Sequence, residues 1–255
     1  PTPTLTPTPA CTETGGQVEK RTYASQTTNQ EEVYRIYLPP CYAHPSQAER
    51  RYPVLYLLHG WPYDDAHWDT LGVDEAADIG IAAEVLPPFL IVMPRGREQP
   101  YIGTSGGERS FEGLVVNDLI PHVDQTYRTR AERSGRAIGG ISRGGVWSLE
   151  IAFMHPDLFS TVGAHSPALS VNLAPPAYDP FYLLNNPSVN TLHIYLDAGE
   201  DDWAREKTEA LHQALEDQRI ANAFVVSAGR HANSLWESNV VTYLAFYTAA
   251  WHESP

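Results

Sequence analysis

The stretch "AIGGISRGGVW", residues 137 to 147, constrains this chain more than any other. It sets one hydroxyl, Ser142, between two pairs of glycines at the end of an apolar run. Gly140-Ile141-Ser142-Arg143-Gly144 is a G-x-S-x-G match. A given serine is flanked this way by chance about 0.5% of the time, so the match is modest alone and its context must carry it. That context is an apolar segment, Arg136 to Ile141, ahead of the serine and a helix-compatible run, Val146 to His155, behind it. Such a strand-turn-helix can push a serine out of a sheet in a strained conformation. Side chains two positions before and after it would collide there, so Gly140 and Gly144 clear the space. Gly139 and Gly145 would let the helix and the neighbouring strand approach closely. The competing reading is a glycine-rich turn with no role beyond structure.

The rest of the chain repeats the alternation. "EEVYRIYLPP" (31–40) alternates enough for a partly exposed, antiparallel strand. "YPVLYLLHG" (52–60) and "PFLIVMPRG" (88–96) are nearly continuous apolar runs ending in Gly, as strands buried on both faces of a parallel sheet read. Residues 135–142, 161–166, 191–199 and 222–229 continue the series. Helical patterns lie between them: 111–127 with a kink at Pro121, 201–219 with acidic residues in its opening turn, and 235–251 at the end. Strands alternating with helices predict an α/β fold, a mostly parallel, doubly wound sheet flanked by helices. Functional residues in such sheets gather at the carboxyl ends of strands.

With 255 residues and no repeat or internal linker, the chain suits one domain over 11–255. Residues 1–10, "PTPTLTPTPA", have too little apolar surface to pack and read as a Thr/Pro linker remnant, of the kind that tethers exported domains. A formal charge of -14 argues against nucleic-acid and polybasic membrane-surface binding. No apolar run is long enough for a transmembrane helix. Two cysteines occur, Cys11 and Cys41. Either they are separate thiols, or a bridge pins the end of the linker to the strand-like "VYRIYLPPC", worth roughly 3–4 kcal/mol in the chain-entropy model. The bridge would fit an exported, secreted or extracytoplasmic protein.

A serine hydroxyl at neutral pH needs a histidine base and a carboxylate to orient it, in the order Ser, acid, His on this kind of turn. Of ten histidines, His193, His212, His231 and His252 fall in the right part of the chain. His193 lies inside a strand, His212 in mid-helix and His252 almost at the terminus, which leaves His231 on the loop after the last strand. For the acid, "LDAGEDDW" offers Asp197, Glu200, Asp201 and Asp202, and spacing narrows these only to Asp197, Asp201 or Asp202. Two backbone N–H groups are candidates for an oxyanion hole: that of Arg143, after the serine, and that of Trp61, in the loop after "LLHG". The alternative for His59-Gly60 is an ordinary strand end. No metal-ligand spacing appears and no cofactor is implied.

From about Val33 onward the chain resembles the putative esterase family of the α/β-hydrolase superfamily, which includes feruloyl and acetylxylan esterases, esterase D and the antigen 85 mycolyltransferases. The resemblance rests on "RIYLPPCY", "YPVLYLLHGW", "LIPHVDQTYRT", "RAIGGISRGGVWSLEIAFMHPDLF", "LDAGEDDW" and "GRHANSLW". It implies an α/β-hydrolase fold. Its G-x-x-D pattern points to Asp202 in Gly199-Glu200-Asp201-Asp202, and its loop histidine matches His231. Two residues depart from the pattern: Arg143 where Met or Leu is common, and Arg230 where Gly is common. Two guanidinium groups there would favour an anionic or strongly hydrogen-bonding substrate, or would pair with surface carboxylates. Tyr63, Tyr101, Trp203 and Trp236 are candidates to line a substrate cleft, with the loop 95–110 as a further wall. The expectation is a secreted serine carboxylester hydrolase acting on feruloyl or related plant-polysaccharide esters. The alternatives are an acyltransferase of the mycolyltransferase type and a non-catalytic binding module on the same fold.

Overall fold

The computed structural model describes residues 10–103 and 105–252. Residues 1–9 of the expected linker lie outside them. The strands form one eight-stranded sheet in the order β1-β2-β4-β3-β5-β6-β7-β8. They are β1 (Gln17–Ser25), β2 (Gln30–Leu38), β3 (Val54–Leu58), β4 (Leu90–Pro94), β5 (Arg136–Ile141), β6 (Thr161–His165), β7 (His193–Gly199) and β8 (Asn222–Ser227). β1 pairs with β2 and β2 with β4 antiparallel, and all other pairs are parallel. An antiparallel edge therefore leads into a parallel body, as the alternating pattern of 31–40 against the unbroken apolar runs predicts.

Helices cover both faces. Along β3, Val54, Tyr56 and Leu58 point into one core, and Leu55 and Leu57 into the other. The first core is closed by the segment 111–126, by Arg143–Met154 (here α2) and by Arg205–Asp217 (α3); the second by Val73–Ala82 (α1) and Asn233–Thr248 (α4). Helix α2 is buried from Gly144 to Phe153 without a break, so it lies at the centre of the molecule. No helix among the described residues is long and apolar enough to cross a membrane. The architecture is the expected α/β fold.

Two helices differ from the sequence reading in instructive ways. The 111–127 helix begins as Phe111–Gly113, widens into a π-helical stretch over Leu114–Leu119 and resumes as Ile120–Thr126. Pro121 has no N–H and its ring crowds the carbonyl four residues earlier, so the ladder widens ahead of it. The helix expected from residue 201 starts at Arg205, because Asp202 turns back to accept the Ala204 N–H at 2.8 Å. The edge strand β1 was not among the expected strands.

The joints that matter are built on contact distance. A Cβ on Gly140 would lie 2.3 Å from the Gly144 carbonyl, and one on Gly144 would lie 2.4 Å from the Leu58 oxygen. β5, α2 and the end of β3 can meet only with hydrogen at these two positions. Cys11 and Cys41 form a disulfide, which ties the residues just ahead of β1 to those just after β2.

Candidate active site

Ser142 sits between β5 and α2 with φ 55° and ψ −113°, a backbone conformation that L-residues rarely adopt. Backbone hydrogen bonds hold it there. Its N–H donates to the His165 carbonyl at 2.8 Å, and its own carbonyl accepts from Ala168 at 3.0 Å and Val146 at 3.1 Å. Only 8% of the residue is exposed, enough to open the hydroxyl onto one cleft.

The structure brings Ser142, His231 and Asp202 together. His231 Nε2 lies 3.0 Å from Ser142 Oγ, and His231 Nδ1 lies 2.8 Å from Asp202 Oδ1. Burial pushes the Asp202 carboxyl up, but hydrogen bonds from His231 and from the Ala204 N–H outweigh it, and the group lies below its ordinary value. Asp202 therefore only accepts. Nδ1 of His231 carries the ring proton, and Nε2 is left to accept from the serine hydroxyl. The two loops that meet here need small residues: Gly229 has φ 137°, and a Cβ on Gly199 would lie 2.4 Å from the Gly229 oxygen. The His231 ring is held between the Trp203 ring, 4.3 Å away, and the edge of Trp236, 5.1 Å away.

The other two acids are elsewhere. Asp201 is exposed. Asp197 is buried and pairs with His165, a histidine that sequence reasoning treated only as part of a strand: Asp197 Oδ1 lies 3.1 Å from His165 Nδ1.

Trp61 and Arg143 both line the cleft at Ser142. The Trp61 N–H has no hydrogen-bond partner among the described residues, and that of Arg143 opens helix α2. The loop after β3 is stiffened by two imidazoles. His59 accepts the Gly96 N–H at Nε2 (2.8 Å) and donates from Nδ1 to the Gly60 carbonyl (3.0 Å); burial pushes its pKa down to about 4, so it stays neutral. His67 accepts the Gly60 N–H at Nδ1 (3.2 Å) and donates from Nε2 to Asn233 (3.0 Å).

The cleft has a volume of about 410 Å³. Its walls are the indoles of Trp61 and Trp203 and the apolar side chains of Ile102, Ala168, Val171 and Leu173, with Ser105, Arg143 and Asn172 as polar points. Of the four aromatic candidates, Trp203 lines it. Trp236 is only 3% exposed and supports His231 from beneath. Tyr101 does not reach it: the ring is fully buried against Gly96, where any Cβ would lie 2.2 Å from it, and its hydroxyl donates to the His59 carbonyl. Tyr63 is 44% exposed but faces a neighbouring cleft. The 168–173 wall was missed, because "ALSVNL" carries no signal beyond a short apolar run.

Arg143 does not reach toward surface carboxylates in the contacts described. Its Nε donates to the Tyr101 carbonyl at 3.0 Å, Nη1 to Asn172 Oδ1 at 3.4 Å, and the guanidinium lies 4.6 Å over Trp147. Arg230 is exposed.

Comparison with known proteins adds to this geometry. The family model described as "Putative esterase" matches residues 25–249. An endo-1,4-beta-xylanase/feruloyl esterase of Xylanibacter ruminicola is 31% identical over 153 residues, which is 58% of this chain and 21% of that protein. The chain thus spans about a fifth of that relative's length. The ferri-bacillibactin esterase BesA of Bacillus subtilis is 28% identical over 238 residues, 79% of this chain and 80% of that one. A solved ferulic acid esterase has the same fold, with a TM-score of 0.80 at 24% identity over 92% of this chain and 99% of its own.

Proposed function

The chain belongs to the "Putative esterase" family, and from that premise we propose that it is a serine carboxylester hydrolase whose nucleophile is Ser142. The observation that carries this is the continuous hydrogen-bonded line Ser142–His231–Asp202, with 3.0 and 2.8 Å steps. His231 Nε2 takes the hydroxyl proton as Ser142 Oγ attacks the ester carbonyl carbon, and Asp202 stabilises the imidazolium that forms. The Trp61 and Arg143 N–H groups donate to the carbonyl oxygen as it becomes an oxyanion. The imidazolium returns its proton to the leaving alkoxide, which departs as the alcohol. A water then repeats the sequence on the acyl-enzyme and releases the acid. A non-catalytic module has no need of a strained serine in line with an imidazole and a carboxylate.

The acyl group belongs in the 410 Å³ cleft, whose indole and aliphatic walls suit an aromatic acid and whose Asn172 and Ser105 suit its polar substituents. With a relative named as a xylanase/feruloyl esterase, feruloyl esters of plant polysaccharide are the proposed substrates, and the disulfide fits a secreted enzyme. Residues 11–255 read as its catalytic domain and 1–10 as a linker that could tether it. Turnover of methyl ferulate and p-nitrophenyl acetate by the wild type and by Ser142→Ala tests the proposal. The variant is expected to lose about a millionfold in kcat. Equal activity in the two proteins would remove Ser142 from the chemistry, and good activity on lipidic esters with none on ferulate would remove the substrate assignment.

A further inference from the structure

A second cleft, of about 370 Å³, adjoins the first and shares Trp61 as its wall. Its lining is different in kind: Tyr63, Asp64, Arg95, Arg97 and Glu98 replace the aliphatic side chains. We propose that this cleft holds the alcohol half of the ester, a neutral sugar ring seated on the face of Tyr63. The inference rests on the esterase reading above and extends it to the leaving group.

Three observations support it. The first is a prepared flat platform. Tyr63 is exposed on one side and stacked on His67 on the other, ring centroids 3.9 Å apart and planes within 4°. His67 is itself fixed at both nitrogens, by Gly60 and by Asn233, so a ring that docks on Tyr63 meets a surface that is already ordered. An aromatic face offers a sugar's C–H groups an apolar floor while the hydroxyls project sideways.

The second is the charge pattern at the rim. The Arg95 guanidinium and the Glu98 carboxylate have no hydrogen-bond or ion partner among the described residues. Asp64 accepts one bond, from Ala66. Arg97 is occupied by Glu32 at 2.9 Å. Donors and acceptors of both signs stand side by side, which suits a ligand carrying many neutral hydroxyls and offers no net attraction to an anion.

The third is position relative to the proton. The leaving oxygen must receive its proton from His231, so the alcohol lies on the His231 side of the acyl carbon. The platform is tied to that side. His67 donates to Asn233, two residues beyond His231. Its ring also meets the edge of Trp236 at 6.0 Å, and Trp236 meets His231 at 5.1 Å.

Calorimetric titration of the Ser142→Ala protein with an arabinoxylo-oligosaccharide that carries no ester tests the cleft without using catalysis. Saturable binding is expected, weakened about tenfold by adding Tyr63→Ala and restored by Tyr63→Phe, which keeps the ring face. No binding, or equal binding with and without the Tyr63 ring, would overturn the proposal. In parallel, the ratio of kcat/KM for a feruloylated oligosaccharide to that for methyl ferulate is expected to fall about tenfold in Tyr63→Ala, and an unchanged ratio also counts against it. A wild type that turns over neither these esters nor p-nitrophenyl acetate would refute the esterase reading, while the titration would still decide the sugar site.

Discussion

Two Asp–His pairs touch Ser142, one through the His231 ring at its hydroxyl and one through the His165 carbonyl at its N–H, and only the first is in line with the hydroxyl. Asp202 and His231 meet at 2.8 Å, and Asp197 and His165 meet at 3.1 Å. Both acids come from the carboxyl end of β7 or the turn after it. The far nitrogen decides what each pair can do. That of His231 faces the Ser142 hydroxyl at 3.0 Å, on an open cleft, with 14% of the imidazole side chain exposed. That of His165 faces the Tyr247 hydroxyl at 2.8 Å with no exposure at all, and the Tyr243 hydroxyl closes the other side by donating to Asp197 Oδ2 at 2.5 Å. Burial pushes both tyrosines well above their ordinary pKa. In the proposed mechanism identical residue types thus serve as a proton relay in one place and as mortar in the other. Access to a reacting group, more than the strength of the pair, separates the roles.

The comparison can be broken most sharply at Asp202. Asp202→Asn is expected to lower kcat by roughly four orders of magnitude, through loss of the correct imidazole tautomer, with little change in melting temperature. If it melts early and stays active, the two pairs have been assigned the wrong way round. Asp197→Ala is expected to do the opposite. Losing one partner of a buried pair costs about 3–5 kcal/mol, or roughly 10 °C in Tm for a chain of this size, while kcat per folded molecule changes by less than about tenfold.

Glu150 sharpens the comparison as a buried carboxyl with no imidazole. It is fully buried in α2, and neither oxygen has a hydrogen-bond partner among the described residues. Burial pushes its pKa up, Arg143 pulls against the rise and Glu112 and Asp179 add to it, and the group ends at about 9. Glu112, which His155 reaches at 2.7 Å, is lowered instead, the hydrogen bonds outweighing its burial. For Glu150 the folded state holds its proton more tightly than the unfolded chain. Its stability contribution is therefore full below about pH 4.5 and declines by about 1.4 kcal/mol per unit as pH rises to about 9, where the decline ends. Glu150→Gln should flatten that slope and stabilise the protein by on the order of 2–3 kcal/mol at pH 7, as read from urea midpoints across pH. A parallel pair of curves would exclude the assignment. The smallest effect is expected from Tyr243→Phe, about 1.5 kcal/mol by the same measurement, with kcat untouched.

Most of the sheet was legible because five of its strands, β3 to β7, are buried almost throughout and read as apolar runs. β1, "QVEKRTYAS", was not: only Tyr23 and Ser25 are buried, and an edge strand paired on one side leaves its other residues to water. Ser142 and His231 could be named from chain order and turn chemistry. Asp202 could not be separated from Asp197 by position, since the difference is made at a distance. His165 stands opposite Asp197 in the register of β6 and β7, and Tyr243 and Tyr247 arrive from the last helix. Tyr247 can reach in only because Gly139 and Gly163 lack side chains; a Cβ at either would lie 1.7 or 2.1 Å from its hydroxyl. Tyr101 was misread for the complementary reason, since nothing in "QPYIG" says that a bare glycine at 96 offers its ring a buried slot.

The Cys11–Cys41 bond has a mechanical consequence. It closes a covalent loop, with 30 residues of separation, that contains all of β1 and β2. A pull on the chain ahead of Cys11 passes through sulfur to Cys41 and enters the body beyond the hairpin. The nine-residue β1 ladder, held by β2 alone, is never in the line of force. While the bond is intact the sheet cannot be unzipped from that edge, and under reduction the same pull would peel β1 away first.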